Sequence, residues 1–252
     1  MMSSVKIGRF FRTHIRIHYT WILVLAVISW AVSTQYSTET ALLTRIGLGA
    51  ATSVLFLFAM FLREILLLSL AVSKGVVVQS VTIFAFGGLI QVDQDTTTPS
   101  HELLLAVSGM LCNLFITGVF YLLYVFLSQV MTETFLLPLK WLAFLFITLS
   151  AFHVIPGFPL EGGRMLHVIL WKVTGNFPRA TRIASWIGWL VGFATMVGGI
   201  LLLIFSVELF TGVFLIGIGL ILQNASRRSL KQITRSATTV PSGTGEASPL
   251  QL

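Results

Sequence analysis

The run FLREILLLSL (61–70) sets an arginine and a glutamate side by side in an otherwise apolar stretch. A second run, HVIPGFPLEGGRML (153–166), gathers His153, Glu161 and Arg164 around two prolines and a glycine pair, in a chain that has only 9 acidic residues. His101 and Glu102 open a third run, HELLL, and Asn113 closes a fourth, SGMLCN (108–113). Carboxylates and imidazoles can act as general bases or metal ligands, whereas an arginine has no lone pair and can only clamp anions. Cys112 is the single cysteine, so no intrachain disulfide can form.

The elements that must position these groups are membrane helices. Hydrophobic residues make up 56% of the chain and charged ones 10%, with a mean hydropathy of +0.92, far from the balance of a soluble domain. Runs near 19–36, 46–72, 103–130, 136–155, 183–206 and 207–224 approach or exceed the roughly 20 apolar residues that cross a bilayer. The expected fold is an all-α membrane protein of six transmembrane helices. A charge inside such a span costs about 2.5–3.5 kcal/mol on insertion scales, so Arg63 and Glu64 require a partner, water or the interface. Neighbours on a helix diverge by about 100°, so the two do not face each other directly.

The net charge of +7 is explained by topology rather than by nucleic acid. Lys6, Arg9, Arg12 and Arg16 precede the first span and Arg227, Arg228, Lys231 and Arg235 follow the last; Lys74, Arg164, Lys172, Arg179 and Arg182 lie in segments on the same side. Only Arg45 and Lys140 fall in the opposite loops. The positive-inside rule then places both termini in the cytoplasm, the basic residues meeting the membrane surface. The chain divides into a basic cytoplasmic N-terminus (1–18), a transmembrane domain (19–224) and a basic, then disordered, tail (225–252). No repeat of fixed period is present.

Two stretches break the helical pattern. VVVQSVTIFAFGGLIQV (76–92) is rich in β-branched and aromatic residues and interrupted by Gly87-Gly88, which reads as short strands with a tight bend, a small membrane-associated β element. In 153–166, Pro156 and Pro159 cannot donate backbone hydrogen bonds, and the fourth helix must break. Irregular backbone at membrane depth is tolerated where protein buries it or a cavity wets it.

In order along the chain, FLREILLLSLAVSKG (61–75), VTIFAFGGL (81–89), LLLAVSGMLCN (103–113) and FHVIPGFPLEGGR (152–164) resemble the consecutive motifs of the site-2 protease family of intramembrane zinc metalloproteases. IGRFFRTHIRIHYTW (7–21) is similar to the basic lead-in of the prokaryotic, six-span members. The resemblance implies an H-E-x-x-H helix with two zinc ligands one turn apart and a Glu as general base, and an Asp ligand from an N-x-x-P-x-x-P-L-D-G motif. Here Arg63 and Leu67 stand at the histidine positions, Glu64 at the general-base position, Glu161 at the Asp position and His153 at the Asn position. Asn113 matches the Asn of an A-G-P-x-x-N pattern that helps to hold substrate or an oxyanion; a helix-packing amide is the alternative.

These departures imply a degenerate site with no zinc expected. Arg63 is expected at the vacated metal position, forking to Glu161 and to Glu64, with snorkelling to the interface as the alternative. His101, His153 and His167 could join Glu161 in a relocated metal site, or be hydrogen-bonded structural histidines. The function expected is a non-catalytic pseudoprotease that binds a single-span membrane protein or peptide segment, Phe86, Gly87 and Gly88 receiving it by strand pairing. The alternatives are an intramembrane zinc metalloprotease with an unorthodox site, in which zinc is the cofactor, and an ion or solute transporter, for which no inverted repeat speaks.

Overall fold

The computed structural model describes residues 4–10, 13–18, 20–84, 87–92, 98–157, 160–205 and 209–238. Strands β1 (Ser4–Phe10) and β2 (Thr13–His18) lead into helices α1 (Thr20–Ser33) and α2 (Leu42–Ser73); β3 (Val78–Phe84) and β4 (Gly87–Val92) follow. Then come α3 (Pro99–Leu127), α4 (Glu133–His153), α5 (Glu161–Thr174), α6 (Phe177–Phe205) and α7 (Leu209–Thr238). Among the described residues four helices, α2, α3, α4 and α6, are long and apolar enough to cross a membrane, and Trp21–Ser33 is a shorter apolar helix. The protein is an all-α integral membrane protein with a small sheet.

The chain forms two compact units, Met1–Pro156 with Leu160–Val168, and Gly157–Pro159 with Ile169–Leu252. In the first, α2 shows why a nearly uniform apolar run has a definite inner face. Gly49, Thr52, Ser53, Phe56, Ala59, Met60, Arg63, Glu64, Leu67, Leu68 and Ala71 are its buried residues, recurring every three or four positions as one helical stripe. Leu55, Phe58, Leu62 and Leu66, on the other side, are exposed, as lipid-facing residues are. Trp21 of α1, Phe56 and Phe146 of α4 pack in sequence through the core as tilted pairs, with ring centroids 6.0 and 5.2 Å apart.

The sheet is larger than expected. Its order is β1-β2-β3-β4, with β1 and β2 an antiparallel pair, β2 parallel to β3 and β3 antiparallel to β4. The segment read as a basic lead-in supplies half of it, and Thr13 donates from its hydroxyl to the Val78 carbonyl at 3.1 Å. Val81 and Ile83 of β3 are fully buried in the core. Gly87 and Gly88 open strand β4; residues 85–86 lie outside the described residues.

Local signals set the helix ends near the site. Thr98 caps α3, its hydroxyl accepting from the His101 amide at 3.3 Å, and Pro99 occupies the first turn, where its missing N–H costs nothing. Helix α4 ends on His153 and the chain resumes as α5 at Glu161, so the fourth helix is broken within the proline-rich motif.

In the second unit α6 and α7 form a tight antiparallel hairpin. A Cβ on Gly192 would lie 2.9 Å from the Gly219 carbonyl, and one on Gly199 would lie 2.7 Å from that of Gly212. The pairs are seven residues apart in each helix, and the same step leads to Ser185 and Ser226, both fully buried. Backbone meets backbone along this seam, the contact that small residues permit between membrane helices. Helix α7 continues through Arg227, Arg228, Lys231 and Arg235 to Thr238, so residues 236–238, expected to begin a disordered tail, are helical.

Candidate functional site: a buried charge cluster

On the inner stripe of α2, Arg63 is 1% exposed and Glu64 2%. Arg63 donates from Nη1 to Glu64 Oε1 and from Nη2 to Glu161 Oε1, so one guanidinium joins two carboxylates. The bond to Glu64 links adjacent residues whose side chains leave the helix in different directions; the long Arg63 arm turns back to make it. Arg63 is therefore inside the protein, held by carboxylates, and does not snorkel to the interface. Glu161 lies in the first turn of α5, where the exposed amides of the helix terminus favour a carboxylate.

His153, the last residue of α4, is 3% exposed. Its Nε2 lies 3.0 Å from Glu161 Oε2 and its Nδ1 lies 2.7 Å from the Leu149 carbonyl. A carbonyl only accepts, so Nδ1 carries a hydrogen. The break between α4 and α5 is what lets His153 and Glu161, eight positions apart in sequence, meet at two abutting helix ends.

Two glycines close on the cluster. A Cβ on Gly109 of α3 would stand 2.7 Å from Glu161 Oε1 and 3.0 Å from Arg63 Nη2. Gly87, at a φ of +142° that side chains rarely adopt, brings the start of β4 to within 3.4 Å of His153 Nε2 and 3.8 Å of Arg63 Nη1, measured from where its Cβ would be. Helix α3 thus abuts the Glu161 side and strand β4 the His153 side. Sequence reasoning marked Gly87 and passed over Gly109; SGMLCN offers no sign of which partner its glycine admits.

The other histidines divide. His167 Nδ1 lies 2.8 Å from Glu102 Oε2, with His167 1% and Glu102 7% exposed. This second His–carboxylate bond ties α5 to α3 through residues other than those of the cluster. His101 is half-buried on the first turn of α3. Asn113, one turn beyond Gly109, is fully buried, and neither amide atom has a hydrogen-bond partner among the described residues. Phe86 lies outside the described residues; Gly87 and Gly88 begin the last strand in the sheet order.

A solved structure has a similar fold. The site-2 protease from Methanocaldococcus jannaschii matches with a TM-score of 0.67 at 22% identity, covering 90% of this chain and 95% of that one. A Synechocystis protein named as a candidate zinc metalloprotease is 29% identical over 202 residues, 75% of this chain and 50% of that protein. Rip3 of Mycobacterium tuberculosis, named likewise, is 27% identical over 184 residues, 71% of this chain and 47% of that protein. The chain shares the fold of that site-2 protease and is similar in sequence to these two proteins. It spans about half the length of these two curated relatives, and no family model matches it.

Zinc is the metal that the site-2 protease pattern implies, and a catalytic zinc needs three protein ligands with one position open. At the two histidine positions of that pattern this site-2 protease relative has a guanidinium without a lone pair and Leu67, which packs into the apolar core at 5% exposure. Both amino groups of Arg63 bond the carboxylates at the other two positions of interest, Glu64 and Glu161. Among the described residues no group of three His, Cys, Asp or Glu side chains is arranged to hold a metal ion. At those two positions Arg63 and Leu67 offer zinc no donor atom.

Proposed function

We propose that this site-2 protease relative is a pseudoprotease, which binds a segment of a membrane protein without hydrolysing it. The observation that carries the reading is the Arg63 guanidinium bonded to both Glu64 and Glu161. Hydrolysis by a metalloprotease needs a metal-activated water beside a free general base, and Glu64 is engaged by a cation. Glu64 and Asn113 then hold catalytic positions without catalytic roles.

Binding does not depend on metal. Strand β4 is last in the sheet order and pairs with β3 on one side, and an edge strand can accept an extended segment through backbone hydrogen bonds. Phe86, Gly87 and Gly88 are the receiving residues in this reading, and the partner is a single-span membrane protein or an unwound part of one. Both termini face the cytoplasm, on the strength of the basic residues there.

A second reading, an intramembrane zinc metalloprotease with an unorthodox site, is favoured by the names of the relatives. Zinc measured per purified chain separates the two. A pseudoprotease carries far less than one zinc per chain after metal-replete growth; stoichiometric zinc that disappears in Glu161→Ala would sink that reading. Crosslinking from a photoreactive residue at Leu89 to a co-reconstituted single-span segment, abolished by proline at Ile90, is the result expected of strand-edge binding.

A further inference from the structure

One side of α6 carries an ordered stripe. Arg179, Arg182, Trp186, Trp189 and Phe193 follow one another at alternating steps of three and four residues, which places them on one face of the helix. Arg179 and Arg182 are exposed and Trp189 is half-buried; Trp186 is 60% and Phe193 42% exposed. The seam with α7 runs through other residues, Ser185, Gly192 and Gly199. Trp186 meets Trp189 edge-on with ring centroids 5.7 Å apart, and Trp189 stacks on Phe193 at 5.7 Å with an interplanar angle of 9°. The three rings form a continuous apolar ladder that starts one turn beyond Arg182.

Charge at this end of the second unit has one sign. Lys172, in the last turn of α5, and Arg227 of α7 are exposed. Ser185 and Ser226 are buried at the same level of the seam, so Arg227 lies at the same end of the hairpin as Arg182. None of Lys172, Arg179, Arg182 and Arg227 makes an ion pair among the described residues. Between Ile169 and Thr238 the only acidic residue is Glu208, which falls in sequence between the end of α6 and the start of α7. No carboxylate of α6 or α7 offsets the basic groups.

We propose that this face binds one anionic phospholipid, its phosphate held by Arg179 and Arg182 and its acyl chain lying along Trp186, Trp189 and Phe193. None of these residues belongs to the charge cluster of the first unit. A guanidinium bonds a phosphate through a bidentate fork, and tryptophan rings sit at the level of the lipid headgroups. Phe193 stands eleven residues beyond Arg182, about 16 Å along the helix, which is roughly the depth of one leaflet of the hydrocarbon core. A zwitterionic lipid brings its own cation and leaves the basic groups uncompensated, whereas a headgroup of net negative charge matches them.

The test places the full chain in vesicles of phosphatidylcholine and phosphatidylglycerol, with bromine on the acyl chains of one lipid at a time, and reads tryptophan fluorescence. Bromine quenches on contact, so the signal reports a lipid chain and not a free phosphate. At equal mole fraction, brominated phosphatidylglycerol is expected to quench more than brominated phosphatidylcholine. The excess is expected to disappear in Trp186→Phe combined with Trp189→Phe, which assigns it to this face. Arg179→Gln with Arg182→Gln is expected to weaken the preference about fivefold for each arginine, with the melting temperature unchanged because both side chains are exposed. Equal quenching by the two lipids in the native chain, the result if the basic end meets an acidic protein segment instead, overturns the proposal. So does an excess that survives undiminished in either double variant.

Discussion

Arg63 forms the centre of a buried network because its arm is long enough to return to Glu64 and still reach Glu161 on another helix. Removing one member of a buried pair leaves the rest uncompensated, at a cost of about 3–5 kcal/mol. Arg63→Met is therefore expected to lower the melting temperature of detergent-solubilised protein sharply. Arg63→Leu combined with Glu161→Leu is expected to lose less than the sum of the two single changes; strict additivity would dismiss the coupling between them. Gly109→Ala puts a methyl group against Glu161 and Arg63, an overpacking expected to cost about 1–3 kcal/mol. Gly118→Ala on the same helix meets nothing within 4 Å and serves as its control. Charges in apolar runs announced these residues, since few reasons exist to keep them there. The sequence raised three histidines as possible neighbours of Glu161 without choosing among them, because the His153 contact depends on how two helix ends abut across a break.

At the scale of elements, apolar length made the helices readable and said little about their faces. The buried stripe of α2 emerges only when lipid-facing leucines are distinguished from core leucines, which composition cannot do. Strands β1 and β2 were missed because lysines and arginines alternate there with apolar residues, and a basic segment before a membrane span has a ready explanation in topology. The glycine seam between α6 and α7 suggests a paired experiment. Gly199→Ala drives a Cβ toward the Gly212 carbonyl, whereas at Gly198, next to it, the space is open. Gly198→Ala is expected to be neutral or to stabilise by about 0.5–1 kcal/mol through helix propensity, and Gly199→Ala to destabilise; equal effects on the melting curve would show that the hairpin is not packed backbone to backbone.

For the whole molecule, membrane integration was legible from hydropathy and the likeness to site-2 proteases from four motifs in order, while among the described residues four helices, against six apolar runs, are long and apolar enough to cross a membrane. The protein is expected to stay in the membrane pellet after alkaline extraction, and reporters fused to either terminus are expected to report from the cytoplasmic side. On the proposed metal-free reading, chelator treatment of the purified protein is expected to leave its melting temperature unchanged, since the charges that join α2 to α5 belong to the chain itself.

The spacing of those charges also bears on how the protein is made. Arg63 and Glu161 lie 98 residues apart, so at ribosomal rates of about 5–20 residues per second the α2 cation waits roughly 5–20 seconds for its distant partner to be synthesised. Glu64 is made next after Arg63 and reaches the same guanidinium. A helix entering the bilayer thus carries its own provisional counterion, and the later arrival of α5 completes a bond that α2 has already half formed.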